Sequence, residues 1–152
     1  MVALDKKVPD FAAPATGGTF KLSAQRGHPV VLYFYPKDNT PGCTMEGAQF
    51  RDLHKQFAKA GAVIVGISRD SLKSHESFKA KMAFPFELVS DPEEKLCSEF
   101  DVIKMKNMYG RKMRGIERST FVIDAKGTLV REWRKVKVPG HAEAVLEAVR
   151  AL

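Results

Sequence analysis

Residues 30–44 read VVLYFYPKDNTPGCT, an apolar run followed by a turn that ends in a cysteine. The run is rich in β-branched and aromatic residues, which predicts a buried strand over residues 29–35. Beyond the turn, apolar side chains recur at helical spacing, which predicts a helix over about 41–60. The residues that carry this spacing are Phe50, Leu53 and Phe57. The stretch therefore predicts a strand, a turn and a helix, with Cys43 where the turn enters the helix.

The turn residues favour a reactive Cys43. Thr40 is a candidate N-cap, Pro41 suits the first helical position and Cys43 falls in the first turn. Unpaired N–H groups and the positive end of the helix dipole stabilise a thiolate there. The alternative is a buried structural cysteine, the commoner role of a free cysteine. The Asn-Thr-Pro-Gly surroundings are typical of a turn and not of a core, so we favour the reactive thiol.

Strand and helix patterns alternate along the rest of the chain, which predicts an α/β fold in one domain over residues 1–152. The turn at residues 124–127, Asp-Ala-Lys-Gly, predicts a hairpin and hence a mixed sheet. Residues 103–116 are expected to be the least ordered stretch, with their methionines filling gaps. The further strands are expected at 62–68, 86–89, 119–124 and 128–137, and the further helices at 71–82, 92–100 and 140–151.

The amino-acid composition limits the class of protein to which the chain can belong. Of the 152 residues, 44% are hydrophobic and 28% are charged, which is ordinary for a soluble globular domain. No apolar run approaches the roughly 18–20 residues of a transmembrane helix, and the first residues lack the apolar core of a secretory signal. Two cysteines do not make a disulfide framework. We therefore expect a cytoplasmic protein without a membrane partner, and a monomer or a weak dimer.

The net charge of +7 is concentrated in residues 101–140, which hold eleven Lys/Arg and four Asp/Glu. Such a segment can attract nucleic acid or acidic partners. However, no helix-turn-helix, zinc-finger or RNA-binding signature accompanies the charge. We therefore favour a solvated surface beside a cleft and expect no specific nucleic-acid partner, with a basic nucleic-acid-binding protein as an alternative.

The pattern Pro36-x-x-x-Thr40-x-x-Cys43 resembles the active-site signature of the peroxiredoxins. The surrounding string resembles their Q-type subgroup, the bacterioferritin comigratory proteins, and further segments match in family order over nearly the whole chain. These segments are residues 8–11, 33–44, 46, 50–52, 66–71, 88–92 and 117–124. The resemblance implies a thioredoxin-like fold, with a mixed central sheet flanked by helices, and a thiol peroxidase acting on hydrogen peroxide and alkyl hydroperoxides.

Peroxide cleavage needs a thiolate, donors that hold both oxygens and a shielded site. Cys43 supplies the thiolate, the Thr40 hydroxyl can hydrogen-bond sulfur and peroxide, and Pro36 shields the sulfur. The resemblance to the peroxiredoxins implies that the arginine at the position of Arg118 reaches the sulfur. There it would favour the thiolate and bind the negative charge that develops on the peroxide. Glu46 could orient Arg118. The plainer alternatives are an N-cap for Thr40, an ordinary ion pair for Arg118 and a solvated carboxylate for Glu46.

Cys97 bears on how the sulfur is recycled. Q-type relatives carry a resolving cysteine at the place of Ala48 or in the next helix, where residues 74–79 contain none. Cys97 shares a helical face with Leu96 and Phe100, which indicates a buried structural thiol. This departure favours a one-cysteine mechanism with an external thiol such as thioredoxin, glutaredoxin or glutathione. A resolving role for Cys97 and a non-enzymatic, thioredoxin-like redox sensor remain alternatives, although no Cys-x-x-Cys motif is present.

Neither a cofactor nor a metal site is expected. The four histidines lie far apart in the sequence, and none pairs with another ligand at the spacing of a metal-binding helix.

Overall fold

The computed structural model describes the backbone of residues 1–152 and the side chains of all of them except Met108. The strands are β1 (Ala12–Ala15), β2 (Gly18–Lys21), β3 (Val30–Phe34), β4 (Val63–Ser68), β5 (Glu87–Ser90), β6 (Ile103–Met108), β7 (Arg111–Ile116), β8 (Ser119–Ile123) and β9 (Leu129–Trp133). The helices are α1 (Pro41–Asp52), α2 (His54–Lys59), α3 (Leu72–Met82), α4 (Lys95–Glu99) and α5 (His141–Arg150), with a 3₁₀ turn at Leu22–Gln25.

Seven strands form one mixed sheet in the order β2-β1-β5-β4-β3-β8-β9. The central strands β3, β4 and β5 are parallel, whereas β8 and β9 are antiparallel at one edge and β1 and β2 at the other. This confirms the predicted mixed sheet and the predicted hairpin, which joins β8 to β9 at one edge. The β1–β2 hairpin was not predicted, because its four-residue strands contain Gly and Pro and are too short to show a period.

Strand β3 separates two hydrophobic cores, because its alternate residues face opposite sides of the sheet. One core contains Val30, Leu32 and Phe34 and packs against α4. The other contains Val31, Tyr33 and Tyr35 and packs against α1, α2, α3 and α5. The long apolar run therefore reflects a strand that is covered on both faces.

Several helices are shorter than their patterns predicted. The helix expected over 41–60 is interrupted at Leu53, which separates α1 from α2. The helix expected over 92–100 begins only at Lys95, because Glu94 has left-handed backbone geometry with φ of 62°. The Asp91 carboxylate still caps it, accepting the N–H groups of Leu96 at 3.2 Å and Cys97 at 2.8 Å. In the described chain, no helix has the length and apolar character needed to cross a bilayer.

Residues 103–116, expected to be irregular, instead form a β-hairpin with Ile103 opposite Ile116. Tyr109 and Gly110 make its turn with positive φ of 53° and 77°, the geometry of a two-residue hairpin loop. Its high charge hid the strands from pattern analysis, although residues 103–106 alternate between apolar and charged side chains. Met105 and Met113 are exposed and do not fill gaps, while the side chain of Met108 lies outside the described residues. The last sheet strand also ends at Trp133 and does not extend to 137.

Candidate active site

The active-site turn connects β3 to α1 and places Cys43 as the third residue of α1, with Pro41 first. The Cys43 side chain packs into the core on the α1 face of the sheet and is 2% exposed. Pro36, at the start of the turn, is half-buried. A small reactant therefore reaches this sulfur only through a narrow opening or a local movement of the turn.

Arg118 links the sulfur to a buried carboxylate. It directly precedes β8, whose first residue Ser119 lies opposite Phe34 at the end of β3, so the sheet brings it to the turn. Its Nη2 donates to Cys43 Sγ at 3.4 Å, and its Nη1 donates to Glu46 Oε1 at 2.6 Å. The guanidinium therefore lies where it can stabilise the negative charge of the Cys43 thiolate.

Glu46 is one helical turn after Cys43 and is 1% exposed. Burial raises the pKa of Glu46 to about 7, although the Arg118 charge opposes this. Its Oε2 and the hydroxyl of Tyr33 are buried without a hydrogen-bond partner among the described residues. Glu46 therefore titrates near neutral pH, close to the reactive sulfur.

The role predicted for the Thr40 side chain as an N-cap is not observed. Thr40 occupies the N-cap position of α1, but its side chain makes no capping hydrogen bond. Instead its hydroxyl donates to the Lys37 carbonyl at 2.8 Å, inside the turn. Because a hydroxyl has one hydrogen, Thr40 in this arrangement can accept a hydrogen bond from a peroxide O–H but cannot also donate one to the thiolate.

A buried polar network, missed in the sequence, ties the active-site turn to α3. His75 Nδ1 contacts Asp38 Oδ2 at 2.7 Å, and its Nε2 contacts the Val89 carbonyl at 2.9 Å. Tyr35 donates to Asp38 Oδ1 at 2.6 Å, and Ser74 donates to Asp38 Oδ2 at 2.8 Å. Both ring nitrogens of His75 are therefore held in place, one by the Asp38 carboxylate and one by the Val89 carbonyl. No spacing rule relates a turn aspartate to a histidine 37 residues later.

Burial alone would raise the pKa of Asp38, but hydrogen bonds from His75 and Tyr35 hold it below its usual value. Asp70 lies beside this pair, and the three side chains offer ligand atoms within 4.8 Å of one another. Asp70 Oδ2 already accepts the Asp38 N–H at 2.9 Å and the Ser68 hydroxyl at 2.5 Å. These carboxylates and the imidazole are therefore engaged in hydrogen bonds that hold the turn.

Cys97 lies away from this site. It is 0% exposed and belongs to the core on the α4 face of the sheet, whereas Cys43 belongs to the core on the α1 face. Burial, followed by the hydrogen bond and charge of Asp91, raises the pKa of the Cys97 thiol well above its usual range. Cys97 is therefore held as a neutral thiol, the unreactive form.

A cysteine at a helix N-terminus, held by a guanidinium beside a mixed α/β sheet, can attack an electrophilic oxygen and stabilise the charge that leaves. The fold and the site together define a thiol-dependent peroxidase.

Comparison with known proteins identifies the family. A model of the AhpC/TSA family matches residues 4–132. Peroxiredoxin Bcp of Xanthomonas campestris pv. campestris is 58% identical over 143 residues, covering 93% of this chain and 89% of that protein. A mutant PrxQ structure from Xylella fastidiosa aligns with a TM-score of 0.94 and 46% identity, covering 99% of this chain and 97% of that one.

A third relative is the Xanthomonas campestris bacterioferritin comigratory protein, solved as trapped intermediate and ligand complexes that concern its alkyl peroxide reduction. It aligns with a TM-score of 0.88 and 56% identity, covering 93% of this chain and 90% of its own. The chain belongs to the AhpC/TSA family and, within it, to the Q-type peroxiredoxins. The predicted family, thioredoxin-like fold and enzyme class are confirmed.

Proposed function

We propose that this peroxidase reduces hydrogen peroxide and alkyl hydroperoxides through Cys43, with Arg118, Thr40 and Pro36 as the other catalytic residues and Glu46 supporting Arg118. The observation that carries the proposal is the Arg118 guanidinium, 3.4 Å from the sulfur and 2.6 Å from Glu46. The alkyl peroxide reduction described for the Xanthomonas campestris relative supports the wider substrate range.

In the first step the Cys43 thiolate attacks one peroxide oxygen. The S–O bond forms while the O–O bond breaks, so the sulfur is oxidised to a sulfenic acid and the peroxide is reduced. The departing alkoxide or hydroxide takes a proton from solvent and leaves as an alcohol or water. Arg118 stabilises the thiolate and then the charge that moves onto the oxygens, while the Thr40 oxygen accepts a hydrogen bond from the peroxide O–H. Pro36 keeps bulk water from the sulfur.

In the second step an external thiolate attacks the sulfenic sulfur, and hydroxide leaves and becomes water on protonation. A second thiol then attacks the mixed disulfide and releases the Cys43 thiolate, so the reductant has supplied two electrons and leaves as a disulfide. The placement of Cys97 in the opposite core supports an external thiol over an internal one. Thioredoxin, glutaredoxin and glutathione are the candidate reductants.

We place this reaction in a reducing compartment such as the cytoplasm. Both cysteines are free thiols, in line with a reducing setting. We also propose that the protein acts as a monomer or a weak dimer.

The test is peroxide consumption driven by dithiothreitol, with hydrogen peroxide and cumene hydroperoxide as substrates. We expect the wild type to consume both and Cys43→Ser to consume neither. Circular dichroism of Cys43→Ser serves as the folding control. A wild type that consumes no peroxide, or a folded Cys43→Ser that retains turnover, would contradict the proposal.

A further inference from the structure

We propose that the β6–β7 hairpin is the docking surface for the reductant: a dithiol protein whose surface is acidic around its cysteine pair. This inference rests on the proposed recycling of Cys43 by an external thiol. It adds which surface receives that thiol and which chemistry the partner presents.

The base of the hairpin stands next to the active site, and its turn lies at the other end of the two strands. Its last residue, Ile116, is fully buried and is followed after one residue by Arg118, whose guanidinium touches the Cys43 sulfur. A Cβ placed on Gly115 would lie 3.8 Å from Arg69 Nη2 and 4.0 Å from Lys106 Cδ. Burial, and then the nearby Arg118 charge, lowers the pKa of Lys106, whose charge also interacts with Cys43. A protein that covers the hairpin from its turn to its base therefore lies beside the sulfur that it must reduce.

The hairpin carries only one sign of charge, with five Lys/Arg and no Asp/Glu in residues 103–116. Some of these cations are already engaged: Lys104 pairs with Asp101 at 3.1 Å, and Arg114 pairs with Glu94. Arg111 and Lys112, directly after the turn, have no acidic partner among the side chains that the structure describes. The end of the hairpin is therefore a cationic surface open to an acidic partner.

Apolar side chains stand among these charges. Tyr109 at the turn is 98% exposed, Met105 is 63% exposed and Met113 is 51% exposed. Tyrosine, methionine and arginine are enriched at protein interfaces, and tyrosine and arginine dominate their binding energy. A nucleic acid matches the charge, but it cannot supply the thiol that the one-cysteine cycle needs. A dithiol protein with an acidic rim meets both requirements, and opposite charge speeds its encounter.

The test compares two reductants of the same enzyme. In Arg111→Glu/Lys112→Glu, we expect kcat/KM for an acidic thioredoxin, kept reduced by its reductase, to fall roughly tenfold or more through lost electrostatic steering. Turnover with dithiothreitol, a small uncharged reductant, should stay at the wild-type level and shows that the variant is folded. The matched control is Lys55→Glu/Lys59→Glu on the exposed side of α2, which makes the same charge change elsewhere and should leave both reductants unaffected.

Two further measurements use the same assay. Tyr109→Ser should lower kcat/KM for thioredoxin while the dithiothreitol rate stays unchanged. Raising the salt concentration should slow the thioredoxin reaction of the wild type more than that of the hairpin variant.

The outcomes separate the proposals. An unchanged kcat/KM for thioredoxin in the hairpin variant, or an equal fall in the α2 control, overturns the docking surface. A fall with dithiothreitol as well also overturns it, since the hairpin would then serve the peroxide step. The docking surface is likewise overturned if the hairpin variant loses binding to anionic phosphatidylglycerol vesicles but reacts with thioredoxin as the wild type does. A wild type with dithiothreitol activity that neither an acidic thioredoxin nor a glutaredoxin reduces refutes docking alone, whereas a wild type inactive with dithiothreitol refutes the proposed function.

Discussion

At the scale of single residues, Arg118 contacts both the sulfur and the Glu46 carboxylate. A guanidinium here acts on the resting thiolate and again on the charge that develops on the peroxide. A charged donor aimed at developing charge contributes more in the transition state than in the ground state. The two contributions can be measured separately, because alkylation of the sulfur requires only a thiolate.

We expect Arg118→Ala to lower the rate constant of Cys43 with hydrogen peroxide by about 10²–10³-fold, the cost of removing one oxyanion donor. The rate of alkylation by iodoacetamide should fall much less. Arg118→Lys keeps the charge but loses the planar fork, and should recover only part of the peroxide rate. Stopped-flow kinetics of both reactions across pH make the comparison. Equal losses in both reactions, or no loss in either, would remove Arg118 from the catalytic residues.

Residues close together in sequence were the predictable part of the site. The motif that joins Pro36, Thr40 and Cys43 lies within one strand, turn and helix, so local rules locate it. Arg118 was reached only through the family resemblance, since local patterns do not report which strand lies beside β3. The contact between Asp38 and His75 depends on how α3 packs on the sheet, and no pattern in either segment reveals it.

At the scale of elements, α1 packs closely against the segment that joins α3 to β5 because Gly47 has no side chain. A Cβ on Gly47 would lie 2.4 Å from Cζ of Phe84, a distance that forces the ring to move. Phe84 also packs on Phe78 and Phe86, so the ring has little room to shift. The glycine thus sets how near the helix bearing Cys43 lies to the core.

We therefore expect Gly47→Ala to lower the free energy of unfolding by about 1–3 kcal/mol, the usual cost of overpacking. Alanine alone would favour the helix by about 1 kcal/mol, so a loss identifies the clash. Phe84→Leu should cost less in the Gly47→Ala background than in the wild type, because it relieves the contact. Urea titrations of the four proteins of this double-mutant cycle give the coupling. A stabilised Gly47→Ala would mean that the ring moves freely.

Element boundaries were less predictable than element types. The breaks at Leu53 and Glu94 depend on backbone geometry that helical spacing does not encode. Beyond residues 103–106, the β6–β7 hairpin shows little apolar alternation because its strands lie outside the main sheet and much of their surface faces solvent. Its pairing arises from the turn at Tyr109 and Gly110 and from the buried Ile116 at its base.

At the scale of the whole molecule, two buried groups give stability opposite dependences on pH. The pKa of Glu46 is raised from 4.5 to about 7 by burial, so its contribution is present at low pH and is lost as pH rises through this range. The pKa of His141 is lowered from 6.5 to about 4 by burial and by the Arg118 charge. Its contribution is present at neutral pH and is lost as pH falls from 6.5 to about 4.

Glu46→Gln isolates the carboxyl contribution while keeping an oxygen that can accept from Arg118. We expect the wild type minus the variant unfolding free energy to fall by on the order of 3 kcal/mol as pH rises from 4.5 to about 7. Urea titrations at several pH values measure this difference. A difference that stays constant across this range would show that Glu46 remains ionised in the folded protein.

The sheet also separates the two thiols, with Cys43 in the core on its α1 face and Cys97 in the core on its α4 face. We expect Cys97→Ser to keep most of the dithiothreitol-driven turnover, and peroxide to produce no intrachain disulfide. Mass spectrometry without reductant reads this out, since a disulfide lowers the mass by about two units through loss of two hydrogens. Loss of turnover in a folded Cys97→Ser, or that lower mass, would establish a two-cysteine mechanism.

This separation gives the enzyme a finite lifetime that depends on its surroundings. With the second thiol behind the sheet, each sulfenic acid waits for a molecule that arrives by diffusion. During that wait a second peroxide can carry the sulfur to sulfinic acid, from which ordinary thiols do not recover it. The fraction of enzyme lost per cycle then rises with the ratio of peroxide to reductant. The amount of peroxide that the enzyme can reduce is thus set by the supply of reductant. A rise in peroxide that exceeds this supply inactivates the enzyme.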